Sequence, residues 1–205
     1  LNKVMGTASI IGLAVVGLSL AVFLGSKNIK VTCVDIDQKK IECLKKNQPY
    51  FYEKDLTKYL KKAKKFLKFS TEIDDKVMNS DFIFVFVLTP INSKGEINLN
   101  YVKEVISTIS KKLPSKKTPI IIIKSTVTPG TVNQIIKPIL TKKLLRDGID
   151  FHVISNPEFL KEGSAINDTM YPHVIVVGGS NDSAMNKVIQ FYKKIHPKNQ
   201  KFVKT

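Results

Sequence analysis

Apolar positions along this chain follow two periods, and the order in which they alternate predicts the architecture. Predominantly apolar runs of strand length occur at residues 8–12, 30–35, 81–87, 119–124 and 150–154. The run at 81–87 is unbroken after Asp81, the mark of a parallel strand buried on both faces. Between the runs the spacing becomes helical. Leu56, Tyr59, Leu60, Ala63, Phe66 and Leu67 form one stripe, Leu99, Val102, Val105, Ile106 and Ile109 a second, and Val132, Ile135, Ile136, Ile139 and Leu140 a third. Each stripe predicts a helix with one face on a sheet and its lysines in water. A further helix runs from a glycine-rich turn to near Gly25, a short one starts at Gln38, and a strand lies near 68–70. Downstream, 174–177 reads as a strand, Ala184, Met185, Val188, Ile189 and Tyr192 as a helix, and 201–204 as a last strand. Strands and helices alternating at these intervals predict an α/β fold, a doubly wound parallel sheet, with one domain over residues 1–205.

One run needs a decision between two physical pictures. Residues 4–26 carry no charge and follow Lys3, the outline of a membrane span or signal peptide. Glycine placement favours a buried strand passing through a tight turn into a buried helix, because a strand-like segment at 30–35 follows at once. No membrane association is expected.

The turn itself, Gly12-Leu13-Ala14-Val15-Val16-Gly17, is the dinucleotide fingerprint with one departure. Glycine at the second marked position lets the backbone approach a pyrophosphate on the helix N-terminus; here Ala14 puts a methyl group there. The second strand ends on Asp35, 23 residues after Gly12, where the fingerprint places the carboxylate that binds ribose hydroxyls. A Rossmann-like site for NAD is expected, with Gly12, Ala14, Gly17 and Asp35 around the cofactor. An acid at that position repels the 2′-phosphate of NADP.

Two later stretches carry candidate chemistry. In Ser155-Asn156-Pro157-Glu158-Phe159-Leu160-Lys161-Glu162-Gly163, Asn156 and Pro157 stop a strand, leaving Glu158 and Glu162 at its carboxyl end, where open α/β sheets bind ligands. An isolated pair of glutamates at this spacing reads equally as a solvated loop. In Ser125-Thr126-Val127-Thr128-Pro129-Gly130, Thr126 also lands at a strand's carboxyl end, where a hydroxyl can orient a water or a substrate alcohol. The structural alternative is a helix N-cap, for which Thr128 is better placed.

The nine-residue string, with Ser164-Ala165-Ile166-Asn167-Asp168 after it, resembles the signature of the UDP-glucose 6-dehydrogenases, within the wider family of UDP-glucose and GDP-mannose dehydrogenases. The resemblance runs over nearly the whole chain and implies two oxidations, in which NAD⁺ is reduced twice while a sugar nucleotide's primary alcohol becomes a carboxylate. It implies catalytic roles for Glu158, as general base in hydrolysis of a thioester, and for Thr126. It implies cofactor contacts for Lys40, Thr89, Thr126 and Glu162, and substrate contacts for Glu158, Phe159, Leu160, Lys161 and Glu162. Three departures accompany it besides Ala14. Tyr50-Phe51-Tyr52-Glu53-Lys54-Asp55-Leu56 matches the family's Tyr-Glu-Pro-Gly-Leu with Lys54 and Asp55 for proline and glycine, so a remade turn is expected. Leu88 stands where proline is usual, and Val174 where arginine is common. Members of the family continue into a central helix and a second α/β domain that binds the nucleotide and carries the catalytic cysteine. The chain is therefore expected to be the N-terminal NAD-binding half, inactive alone, with UDP-glucose as substrate and a homo-oligomer for the full-length member. Gly163-Ser164-Ala165 leans to UDP-glucose over GDP-mannose.

Composition adds limits. With 43% hydrophobic and 8% aromatic residues the chain is an ordinary globular sequence. A net charge of +16 suggests nucleic acid, but Arg146 is the only arginine, and readers of bases and phosphates favour its fork. Lysines spread through helical stretches fit solvated faces, so no nucleic-acid partner is expected. Cys33 and Cys43 lack metal-ligand or disulfide spacing, and His152, His173 and His196 are isolated, which predicts no metal site and a reducing, cytoplasmic setting. The alternatives to an enzyme half are a non-catalytic dinucleotide-binding or interaction module, and a related sugar-nucleotide dehydrogenase such as one acting on GDP-mannose.

Overall fold

The computed structural model describes residues 6–91, 93, 95–161 and 163–205. Six parallel strands form the main sheet: β1 (Ala8–Ile11), β2 (Val31–Val34), β3 (Leu67–Ser70), β4 (Phe82–Val85), β5 (Ile120–Ile123) and β6 (His152–Ser155). Their order across the sheet is β3-β2-β1-β4-β5-β6. The chain winds outward from β1 to β3, returns, and winds outward again from β4 to β6. Between β1 and β4 the direction reverses, and the crevice beyond their carboxyl ends is the place such sheets offer to a ligand.

Neighbouring residues of each strand feed opposite layers. Ile10, Phe84 and Ile122 enter one core with Leu18, Leu60, Ile166 and Phe191. Ile11, Val85 and Ile123 enter the other with Val102, Ile106, Ile136 and Leu140. Both layers are apolar, so the central strands read as unbroken hydrophobic runs. The first layer is built by helices α1 (Val15–Ser26), α2 (Gln38–Lys45), α3 (Leu56–Ala63), α7 (Ala165–Met170) and α8 (Asp182–Ile195). The second holds α4 (Asp75–Met78), α5 (Asn100–Lys112) and α6 (Lys137–Thr141). Helix α1 is buried from Gly17 through Gly25, packed against α3 and α7 as well as the sheet. Its uncharged sequence is thus a core helix, and among the described residues no helix is long and apolar enough to cross a membrane.

Two local expectations change. The stripe from Val132 to Leu140 is not one α-helix: Val132–Ile136 is a π-helical turn that passes into α6. Pro138 at the start of α6 supplies the reason, since a proline inside an α-helix lacks an N–H and its ring collides with the carbonyl four residues back. The segment at 174–177 does not extend the main sheet. Strand β7 (Ile175–Val177) pairs in parallel with β8 (Phe202–Lys204) as a separate ribbon, joined to β6 by an antiparallel bridge between Ser155 and Gly178. At the turn of Lys54 and Asp55, Asp55 adopts φ +63°, a left-handed conformation that glycine takes freely and aspartate tolerates.

Candidate active site

The turn after β1 is fixed by close packing. Gly12 has φ +93°, and a Cβ on it would lie 2.2 Å from the Phe86 carbonyl oxygen. A Cβ on Gly17 would lie 2.0 Å from the Gly12 carbonyl oxygen. No side chain larger than hydrogen fits at either position. Ala14 is different, because it is the N-cap of α1 with φ −60° and an exposed side chain. The backbone makes no demand for glycine there; the methyl matters only to what approaches from solvent. Ala14 also provides no side-chain acceptor, so the first N–H groups of α1 lack a capping oxygen and face the sheet's carboxyl edge.

Asp35, 8% exposed, stands beside this turn. Its Oδ2 accepts from the Leu13 N–H at 2.9 Å and its Oδ1 from the Asp37 N–H at 3.0 Å. Each oxygen keeps a second lone pair for a hydroxyl. Lys40 reaches to 3.6 Å from Asp35 Oδ2 with its Nζ over the Tyr50 ring, and the Tyr50 hydroxyl donates to the Leu13 carbonyl. Carboxylate, turn and helix start therefore form one unit. Uncapped amides for a pyrophosphate and a fixed acid for a ribose diol fit a dinucleotide.

Thr89 lies half-buried in the loop after β4, and Thr126 is exposed just beyond β5. Between them Ser125 donates its hydroxyl to the Val87 carbonyl at 2.8 Å, joining the two loops. Thr128 meets the Thr131 hydroxyl at 3.0 Å.

The loop after β6 is held at both ends. Asn156, 1% exposed, donates its N–H to the Ile123 carbonyl at 2.9 Å and its Nδ2 to the Val176 carbonyl at 2.6 Å. Its Oδ1 accepts from the Tyr192 hydroxyl at 2.7 Å and from Lys124 Nζ at 3.1 Å, and the same Nζ donates to the Asn156 carbonyl at 3.0 Å. At the far end Glu53, 6% exposed, accepts from the Gly163 N–H at 3.1 Å and the Ala165 N–H at 3.0 Å. Between these anchors Glu158 is half-buried, with Oε2 accepting from the Leu160 N–H at 2.6 Å. Phe159 is 61% exposed, Leu160 half-buried and Lys161 exposed, the last donating its N–H to Asp168 Oδ2 at 3.0 Å. Glu162 lies outside the described residues.

A cavity of about 340 Å³ opens behind this loop. Glu158, Phe159, Leu160 and Lys161 form one side, Val16 and Leu20 of α1 another, with Phe86, Lys124, Thr169, Tyr192 and His196 at its floor. The Thr169 hydroxyl is buried without a partner among the described residues. Burial lowers the Lys124 ammonium to about 8, against the opposing pull of the Glu158 carboxylate. Burial also lowers His196 to about 4, while its bond to the Met170 carbonyl works the other way. That bond requires a hydrogen on Nδ1, so the neutral ring keeps Nε2 as an acceptor.

The structure thus brings Gly12, Ala14, Gly17, Asp35 and Lys40 together at one end of the sheet's carboxyl edge, and Glu158 through Lys161 around the cavity. Thr126 sits on an adjacent strand end and does not line that cavity. Sequence reasoning missed Lys124, Asn156, Tyr192 and Glu53. Lys124 was open to detection, as a lone cation ending an all-apolar strand.

Residues 6–196 match the model of the UDP-glucose/GDP-mannose dehydrogenase family, NAD binding domain. The chain belongs to this family. Its cofactor is NAD, in accord with the fit of the turn and Asp35. UDP-glucose 6-dehydrogenase of Rickettsia prowazekii is 39% identical over 197 residues, 95% of this chain and 44% of that protein. The Bacillus subtilis enzyme TuaD, also a UDP-glucose 6-dehydrogenase, is 35% identical over 94% of this chain and 41% of its own length. Among solved structures, a ternary complex of GDP-mannose dehydrogenase from Pseudomonas aeruginosa matches with TM-score 0.90 and 28% identity, covering 97% of this chain and 46% of that one. A UDP-glucose dehydrogenase from Pyrobaculum islandicum matches with TM-score 0.89 and 29% identity, over 98% and 46%. The chain spans less than half the length of each.

Proposed function

We propose that this chain is the NAD-binding half of a UDP-glucose 6-dehydrogenase, supplying the cofactor site and the base for oxidation of UDP-glucose to UDP-glucuronate. The observation that carries the reading is the anchored loop: it holds Glu158 on the same sheet edge as the dinucleotide turn. The names of the two bacterial relatives favour UDP-glucose over GDP-mannose. NAD⁺, when bound, accepts the hydride. Thr126, exposed beyond β5, orients the alcohol or a water through its hydroxyl. Glu158 takes a proton from the water that releases the carboxylate product, with Oε1 unbonded among the described residues while Oε2 is held by the Leu160 N–H. Phe159, Leu160 and Lys161 serve the sugar side of the loop, and the cofactor contact implied for Glu162 falls outside the described residues.

Neither cysteine of this chain serves as a nucleophile in the second oxidation. Cys33 is fully buried in β2, where desolvation raises its thiol far above the ordinary range, and Cys43 lies on α2. These 205 residues span less than half the length of those relatives, and alone are expected to form no NADH from UDP-glucose. Supplying the second half of a related enzyme should restore NADH formation, and Glu158→Gln should then slow product release at least a hundredfold. Robust NADH formation by the chain alone, surviving substitution of both cysteines, would overturn this division of labour.

A further inference from the structure

Lys124 differs from the other lysines in its setting. It directly follows β5, two residues before Thr126, with its stem packed at the cavity and its Nζ 5.7 Å from the Phe86 ring centroid. Among the described residues no carboxylate lies within ion-pair distance of it; both of its hydrogen-bond partners are oxygens of Asn156. Asn156 is the point at which the loop leaves β6. Through it Lys124 and Ile123 of β5, Val176 of β7 and Tyr192 of α8 are tied together.

We propose that Lys124 is a positioning residue for Glu158: by gripping both oxygens of Asn156 it fixes where the loop departs and hence where the Glu158 carboxylate sits. This rests on the reading of Glu158 as the base, but the grip is observable without turnover. A side chain serving only to fill the floor needs no charge. One that grips two acceptors is strongest as an ammonium, since hydrogen bonds from a charged donor exceed those from a neutral one. Loop order should therefore follow the protonation of Lys124. Among the described residues the other titratable groups around the cavity are Glu158, Lys161, Asp168, Tyr171, His173, Tyr192 and His196. Burial keeps His196 neutral and Tyr192 protonated through the alkaline range.

The Leu160 N–H, bonded to Glu158 Oε2, is a direct reporter. Amide exchange at Glu158, Leu160 and Lys161, corrected for intrinsic rates, should be measured from pH 7 to 9.5 in wild type, Lys124→Met and Lys124→Arg. In Lys124→Met, protection of these amides should fall tenfold or more at pH 7, with β1, β2 and NAD⁺ affinity changed less than twofold. In wild type, protection should fall severalfold as pH passes about 8, where the ammonium loses its proton. Lys124→Arg, whose cation does not titrate, should retain protection throughout; groups common to both proteins cancel in this comparison. Unchanged protection in Lys124→Met, or a loss spread evenly over the sheet, would overturn the proposal. Identical pH profiles for wild type and Lys124→Arg would overturn it too, and still decide the matter if Lys124→Met does not fold. Loss of activity on Glu158→Gln is read separately, so either conclusion can fail alone.

Discussion

Replacing Glu53 by glutamine removes one charge and no volume, at a side chain that carries no chemistry. Its two oxygens accept from the N–H groups of Gly163 and Ala165, both more than a hundred residues away. Glutamine retains one acceptor; its amide nitrogen then faces an N–H, donor against donor. Losing a charge-assisted bond and leaving a buried N–H unmet costs about 2–4 kcal/mol. For a chain of this length each kcal/mol lowers Tm by roughly 2–4 °C, so Glu53→Gln should melt about 5–15 °C below wild type. Circular dichroism melting measures the loss, and amide exchange at Gly163 and Ala165 should quicken in the same variant. The exposed Glu42, which accepts only from Gln38, is the control, and Glu42→Gln should shift stability by less than about 0.5 kcal/mol. A Tm within 1 °C of wild type, with Gly163 and Ala165 as protected as before, would refute the anchoring role.

Calorimetry should show NAD⁺ preferred over NADP⁺ at least tenfold because of Asp35, and Ala14→Gly should tighten NAD⁺ severalfold; equal affinity for both cofactors would remove Asp35 from the site. Gly12→Ala should unfold the chain or cost several kcal/mol, since the added carbon meets the Phe86 carbonyl oxygen and φ is +93°; a soluble variant with wild-type Tm would contradict the packing. Stability should fall on acidification from pH 7 to 5. Between about 6.5 and 4 unfolded His196 binds a proton that the folded chain refuses, which amounts to about 2 kcal/mol from pH 7 to 5. His196→Phe, keeping the ring between Phe23 and Tyr192, should flatten the decline in denaturation midpoints; an unchanged slope would assign it elsewhere.

The strands were legible because burial on both faces leaves no room for polar residues, so Ile120–Ile123 and Phe82–Val85 declared themselves. The uncharged run at 4–26 was legible for a related reason: Gly12 and Gly17 mark a turn that a membrane helix does not need. Pairing of the last two strands was not. Segments of three residues fit any edge, and the choice rests on the Ser155–Gly178 bridge, a backbone contact that no side chain announces. Asp55 marks another limit, because its left-handed φ of +63° is a conformation that its residue type tolerates but does not announce.

Among the candidate residues, Gly12, Asp35 and Glu158 were legible because each sits in a pattern of fixed spacing, Asp35 at 23 residues from Gly12. The groups that hold the Glu158 loop were hidden because their partners are remote: Asn156 meets Lys124, Val176 and Tyr192, and Glu53 meets Gly163 and Ala165. This division has a physical cause. A loop with Pro157, Phe159 and Lys161 exposed buries too little surface to order itself, so its shape is imposed through hydrogen bonds whose strength comes from burial of the other partner. Such partners lie in the elements that flank the loop in space. The position of Glu158 then depends on the residue after β5, on α8 and on the turn before α3 as well as on the loop itself. A variant that spares every candidate group can still displace Glu158, and Glu53 and Lys124 are where that displacement should be sought.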